Sequence, residues 1–251
     1  MARLGQARIG TSGFFYNHWR EVLYPRDLPR TRWLEQYATR FDTVELNNTF
    51  YRLPADKTFQ SWHDRAPAKF LYALKLSRYI THIKRLLDPA EALDIFLERA
   101  DLLAPHLGPI LVQLPPRWNV NLDRLDAFLA LCPRRYRWAV EFRDPSWLRR
   151  EVYDLLRRHG ASLCVHDLIE NHPREVTADF VYLRFHGATG PKYAGDYPPE
   201  TLQREADGIR QRLAGGLDVY AYFNNDALGH AVRNATDLKE AIANSEFRIP
   251  N

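Results

Sequence analysis

Arg137-Trp-Ala-Val-Glu-Phe-Arg143 is the stretch that decides the fold. Period two places Val140 and Phe142 on one face and Glu141 and Arg143 on the other. A parallel strand buried on both faces reads as a nearly continuous apolar run. Here the polar residues enter only where the run ends. Thr43-Val-Glu-Leu-Asn47 repeats the pattern with Glu45 and Asn47, and Phe70-Leu-Tyr-Ala-Leu-Lys-Leu-Ser77 with Lys75 and Ser77. Pro109-Ile-Leu-Val-Gln-Leu114 carries Gln113, and Phe180-Val-Tyr-Leu-Arg-Phe-His186 ends on Arg184 and His186. Asp218-Val-Tyr-Ala-Tyr-Phe-Asn224 ends on Asn224, with Asp226 just beyond. Arg8-Ile-Gly-Thr11 and Ala161-Ser-Leu-Cys-Val-His166 complete a set of eight strands.

Stretches with apolar residues at i, i+3 and i+4 lie between most of these strands, at 31–41, 90–103, 122–131, 148–159, 201–213 and 231–242. Asn121 and Ser146 read as N-caps and Gly160 as a helix stop. The connection at 167–179 contains Pro173 and is too short for a full helix. Strict alternation means βαβ crossovers and a parallel sheet. The expectation is a (β/α)8 TIM-like barrel with an irregular connection in place of the sixth helix, and an open doubly wound sheet is the runner-up. With 251 residues and no linker or repeat, the chain reads as one domain.

Composition excludes several classes. Hydrophobic residues make up 45% and charged residues 26%, which rules out disorder and collagen. Two cysteines, Cys132 and Cys164, lie far apart and form no C-x-x-C pair, so a reducing cytoplasm is expected. The first residues show no apolar export segment, and no run approaches a membrane span. The net charge of +4 is scattered and argues for no particular partner. Only six of the 35 basic residues are Lys, which makes Lys75 conspicuous inside a strand.

In a barrel the polar strand ends face the lumen at the C-terminal rim, where barrel enzymes keep their sites. Charges buried there need partners among themselves or on a ligand. The expected site has Glu45, Lys75, Glu141 and His186 as catalytic residues, with the two carboxylates moving protons. Asn47, Gln113, Arg143, Arg184 and Asn224 would bind the substrate. Beside Arg143 or Arg184, Lys75 would be desolvated and would serve either as a Schiff-base amine or as an anion-binding cation. No cofactor is expected. A divalent metal is a second reading, with Glu45, Glu141, His166, Asp167, His186 and Asp226 as ligand types, although the neighbouring cations oppose it. Gly10-Thr-Ser-Gly13 lacks the P-loop pattern and reads as a tight turn. Phe14, Phe15, Tyr16, Trp19 and the Phe50-Tyr-Arg-Leu-Pro54 segment would seal loops against the sheet or stack on a base. His82 reads as structural.

Seven ordered motifs carry a resemblance. They are Ile9-Gly-Thr-Ser-Gly13, Thr43-Val-Glu-Leu-Asn-Asn-Thr-Phe-Tyr-Arg52, Ala73-Leu-Lys-Leu-Ser77 with Ile80-Thr-His82, and Gly108-Pro-Ile-Leu-Val-Gln-Leu-Pro-Pro116. Ala139-Val-Glu-Phe-Arg143 with Ser146-Trp147, Tyr182-Leu-Arg-Phe-His-Gly187 and Tyr222-Phe-Asn-Asn-Asp226 follow. From about residue 8 to 243 the chain resembles the domain of unknown function 72 family, also called YecE-like. Gly13-Phe14 departs from the family's Gly-Trp, with an aromatic kept. The resemblance implies a TIM barrel and leaves the chemistry to the residues.

The residues then imply an enzyme acting on a small anionic or phosphate-bearing substrate at the strand ends. The runner-up is a nucleic-acid or nucleotide-binding module using the same basic rim, in its hydrolytic form a metal-dependent phosphoesterase. Steep salt dependence would separate nucleic-acid binding from the first reading.

Overall fold

The β-branched and aromatic runs form eight strands in the computed structural model, which describes residues 3–187 and 193–244. They are β1 (Ala7–Thr11), β2 (Thr43–Leu46), β3 (Leu71–Lys75), β4 (Leu107–Gln113), β5 (Trp138–Glu141), β6 (Ser162–His166), β7 (Phe180–Phe185) and β8 (Asp218–Phe223). The sheet order is β1-β8-β7-β6-β5-β4-β3-β2, and the β1–β8, β3–β4, β4–β5 and β5–β6 ladders are parallel. From β2 to β8 each strand neighbours its successor and β1 pairs with β8, which is the (β/α)8 order of a TIM-like barrel. A doubly wound sheet reverses its strand order midway and leaves β1 inside, so that alternative is overturned.

The helices are α1 (Trp33–Ala38), α2 (Asn48–Tyr51), α3 (Asp56–Arg65), α4 (Ala90–Asp101), α5 (Leu122–Leu131), α6 (Arg150–His159), α7 (Pro199–Ala214) and α8 (His230–Ala243). Asn121 caps α5 as its sequence suggests, its side chain accepting from the Arg124 N–H at 2.9 Å. Gly160 ends α6 at φ 67°, a left-handed conformation that costs glycine little. Ser146 is not an N-cap. Asp144 caps a short 3-10 turn at Pro145–Trp147, and Ser146 Oγ instead accepts from the Val120 N–H at 2.9 Å. The helix therefore starts at Arg150, two residues later than its pattern suggests. The expected 31–41 helix is shorter, opening as a 3-10 turn before α1. Residues 167–179 contain no helix, as expected.

Two compact units divide the chain: Glu45–Tyr182, and Met1–Val44 with Leu183–Asn251. In the first, Leu74, Leu76, Val140 and Phe142 are buried on one face of β3 and β5, with Leu93, Phe96, Leu125, Phe128, Leu155 and Leu156 buried on the helices. Each such side chain contributes about 1.5–3 kcal/mol by leaving water. Trp147 stacks on Phe142 with centroids 5.0 Å apart and donates its indole N–H to the Trp118 carbonyl at 2.6 Å.

In the second unit α8 packs on β1 and β8. Of the aromatics that follow β1, Trp19 is buried and Phe15 is exposed. Tyr24, farther along, is buried and stacks on the buried Trp33 of α1 at 4.4 Å, and Tyr37 of α1 is buried as well. Tyr37 OH donates to the Thr43 carbonyl at 3.0 Å and accepts from the Thr11 N–H at 3.0 Å. Among the described residues no helix is long and apolar enough to cross a membrane.

Candidate functional site

Register assembles the polar strand ends in Glu45–Tyr182. Leu111 faces Lys75 and Ala139, Gln113 faces Glu141, and Ala139 faces Ser162. Two residues on, Cys164 shares the face of Ser162. Lys75, Gln113, Glu141 and Cys164 thus line one face of four neighbouring strands, above the smaller Ala139 and Ser162.

Glu141 is the hub, fully buried at the end of β5. One carboxylate oxygen accepts from Gln113 Nε2 at 2.8 Å and from Arg143 Nε. Its other oxygen lies 3.8 Å from the Cys164 thiol. Arg143, just past β5, keeps 14% of its side chain exposed and pairs with Glu141. Glu45, also fully buried, accepts from Tyr182 OH at 2.7 Å. Lys75 is held by its backbone, whose carbonyl accepts from Thr49 Oγ1 at 2.7 Å, and by its ammonium, 4.0 Å over the Phe50 ring. Asn47 follows β2, half-buried, with Oδ1 buried and without a hydrogen-bond partner among the described residues.

His82, on the turn after β3, reports the local field. Burial first, then the positive charges of Lys75, Arg78 and Arg143, push it down to about 4, with Glu141 pulling the other way. Sequence reasoning missed Arg78, exposed on a loop, and Tyr182, whose hydroxyl sits mid-strand among apolar neighbours. The only signal for Tyr182 was its place two residues before Arg184 on the same face.

In the other unit, Arg184 is buried on β7 with Nη2 3.4 Å from Ser12 Oγ. His186 is fully buried just past β7, where Asn224 Nδ2 donates to its Nδ1 at 3.1 Å. Asp226 is tied by Trp19 Nε1–H at 2.6 Å and pairs with His18 at 3.0 Å, and burial raises its carboxyl above the usual range.

Among the described residues no three His, Cys, Asp or Glu side chains gather as metal ligands. His166, one of the ligand types read from the sequence, spends both ring nitrogens on backbone. The Leu168 N–H donates to Nδ1 at 3.2 Å, so Nε2 carries the proton and donates to the Phe142 carbonyl at 2.7 Å. Burial holds this ring at about 4, below its ordinary 6.5. Between these values the unfolded chain binds a proton that the folded chain excludes, so stability falls as pH drops from 6.5 to 4 and is unaffected above 6.5. The expected loss is about 3 kcal/mol from His166, with His82 adding in the same direction. Urea unfolding at pH 7 and 4.5 checks this, and His166→Gln should flatten the slope.

Known proteins resemble the chain along most of its length. A family profile described as "Protein of unknown function DUF72" matches residues 8–250. UPF0759 protein YecE of Escherichia coli is 31% identical over 118 residues, 47% of this chain and 43% of that relative, less than half its length. UPF0759 protein YunF of Bacillus subtilis is 22% identical over 88% of this chain and 90% of its own. A DUF72 family protein from Thermotoga maritima superposes with a TM-score of 0.84 at 28% identity, covering 95% of this chain and 99% of that one. The family profile thus spans all eight strands and every strand-end residue described above, and the chain belongs to the DUF72 family.

Proposed function

We propose that the chain is a cytoplasmic enzyme acting on a small anionic or phosphate-bearing substrate at the strand ends of Glu45–Tyr182. Arg143 and Lys75 hold the anion, Glu141 and Glu45 move protons, and Gln113 and Asn47 orient the substrate. Arg184 and Asn224 as binding residues, and His186 as a catalytic one, rest on the strand-end pattern of the sequence.

The observation that supports the reading most is the convergence of Lys75, Arg78 and Arg143 on one imidazole, His82, on which the buried Glu141 carboxylate also acts. At His82 the field of Lys75, Arg78 and Arg143 opposes that of Glu141, an environment that suits an anion. The carboxylate is suited to proton transfer because it is already oriented by Gln113 and Arg143.

The test begins with inorganic phosphate, titrated by calorimetry at low salt. Arg143→Gln should weaken binding at least about tenfold, the loss of one charge-assisted hydrogen bond. Turnover is then sought in a panel of phosphate esters and carboxylates. Glu141→Gln should abolish it while the folded protein still binds phosphate. Phosphate binding that is absent, or untouched by Arg143→Gln, would sink this reading.

A further inference from the structure

Among the unassigned polar groups of this unit, the one that bears on the site is His172. It lies on the 167–179 connection, where the sixth helix is missing. Asn171 adopts a left-handed φ of 54°, which asparagine tolerates, and Pro173 keeps the residue before it out of a helix. His172 is thereby set against His166, ring centroids 4.6 Å apart at 60°.

The protonation of this ring follows from its neighbours. His172 Nδ1 lies 2.8 Å from the Pro173 carbonyl, which only accepts, so Nδ1 carries the proton. In the neutral ring Nε2 is then a bare lone pair, and it is buried without a hydrogen-bond partner among the described residues. Burial is the main reason the ring stays neutral, and the Glu141 carboxylate is near enough to act on it. A buried acceptor with nothing to accept carries an uncompensated desolvation penalty, which a ligand donor would recover.

Resting on the anion site proposed above, we infer that His172 is a ligand-facing residue whose Nε2 accepts a hydrogen bond from a hydroxyl of the bound anion. The substrate class is therefore a hydroxylated anion, such as a hydroxy acid or a phosphate ester with a free hydroxyl. Arg143 and Lys75 supply donors for the anionic oxygens, whereas His172 and Glu141 both supply acceptors. An anion with no O–H would set lone pair against lone pair at the acceptor end. The irregular connection then has a purpose: a helix here would commit this backbone to itself, whereas a loop brings an imidazole toward the end of β5.

Glycolate and acetate, which differ by one hydroxyl, are the probes. In protein labelled with ¹⁵N-histidine, His172 should show a protonated Nδ1 and a bare Nε2 at pH 7. Glycolate should shift that Nε2 resonance and bind about tenfold more tightly than acetate, the effect of one buried hydrogen bond. His172→Ala should remove the preference and leave acetate unchanged. An Nε2–H tautomer, or equal binding of the two anions, overturns the inference while the anion site stands. If neither anion moves the Arg143 Nε–H signal of protein labelled with ¹⁵N-arginine, the anion site fails and the inference falls with it.

Discussion

Glu141→Ala is expected to destabilise the protein by about 3–5 kcal/mol, the cost of breaking a buried ion pair by removing one partner. The deletion leaves the Gln113 amide and Arg143 Nε–H without this acceptor, in a place where the lost carboxylate was fully buried. Coulomb energy alone would not produce so large a value; desolvated donors left without an acceptor would. Glu141→Gln should cost far less, because the amide keeps the volume and one acceptor oxygen. Adding Arg143→Met to Glu141→Ala should recover part of the loss, since both charges then leave together. Urea unfolding of the three variants provides the comparison. The Arg150–Asp154 pair, with side chains 90% and 50% exposed, is the control and should be worth under about 0.5 kcal/mol. A Glu141→Ala cost no larger than that control would mean that the carboxylate is not the hub described.

Gly10→Ala should cost about 3 kcal/mol, the upper end of what overpacking against backbone costs. An added Cβ would stand 2.2 Å from the Thr43 carbonyl oxygen and 3.0 Å from Tyr37 OH. The first neighbour is backbone and cannot swing away, so the Thr43 segment must retreat. That retreat also breaks the Tyr37 hydroxyl bond to the same carbonyl and disturbs its bond from the Thr11 N–H. Thermal unfolding and near-ultraviolet circular dichroism, which reports the packing of buried Tyr37, would register the loss. A midpoint within a degree or two of the parent would show that β1 and Thr43 can separate freely.

Some elements were legible because local chemistry suffices for them. Asn121 caps α5 through its own side chain three residues on, and Gly160 stops α6 because it accepts a left-handed φ. Ser146 misled because the same N-cap signature stands at Asp144, and a turn took that cap first. The α3 segment went unseen because only Phe59 in its ten residues is buried, so no apolar stripe marks it. The polar strand ends were legible as a set, since period two needs no tertiary information.

The sequence by itself determined the strand–helix alternation, the eight strands, the absence of a sixth helix and the residues at each strand end. These depend on side-chain periodicity and on chain length between breakers, which are local properties. Only the tertiary structure decided which of those residues meet. Gln113 reaches Glu141 because the β4–β5 register makes them neighbours, and Tyr182 reaches Glu45 across 137 residues of chain. It also committed both His166 nitrogens to backbone and left His172 Nε2 buried without a hydrogen-bond partner among the described residues. The physical reason is that a proton or a hydrogen bond is assigned by the atoms within about 3 Å, and those atoms come from distant parts of the chain.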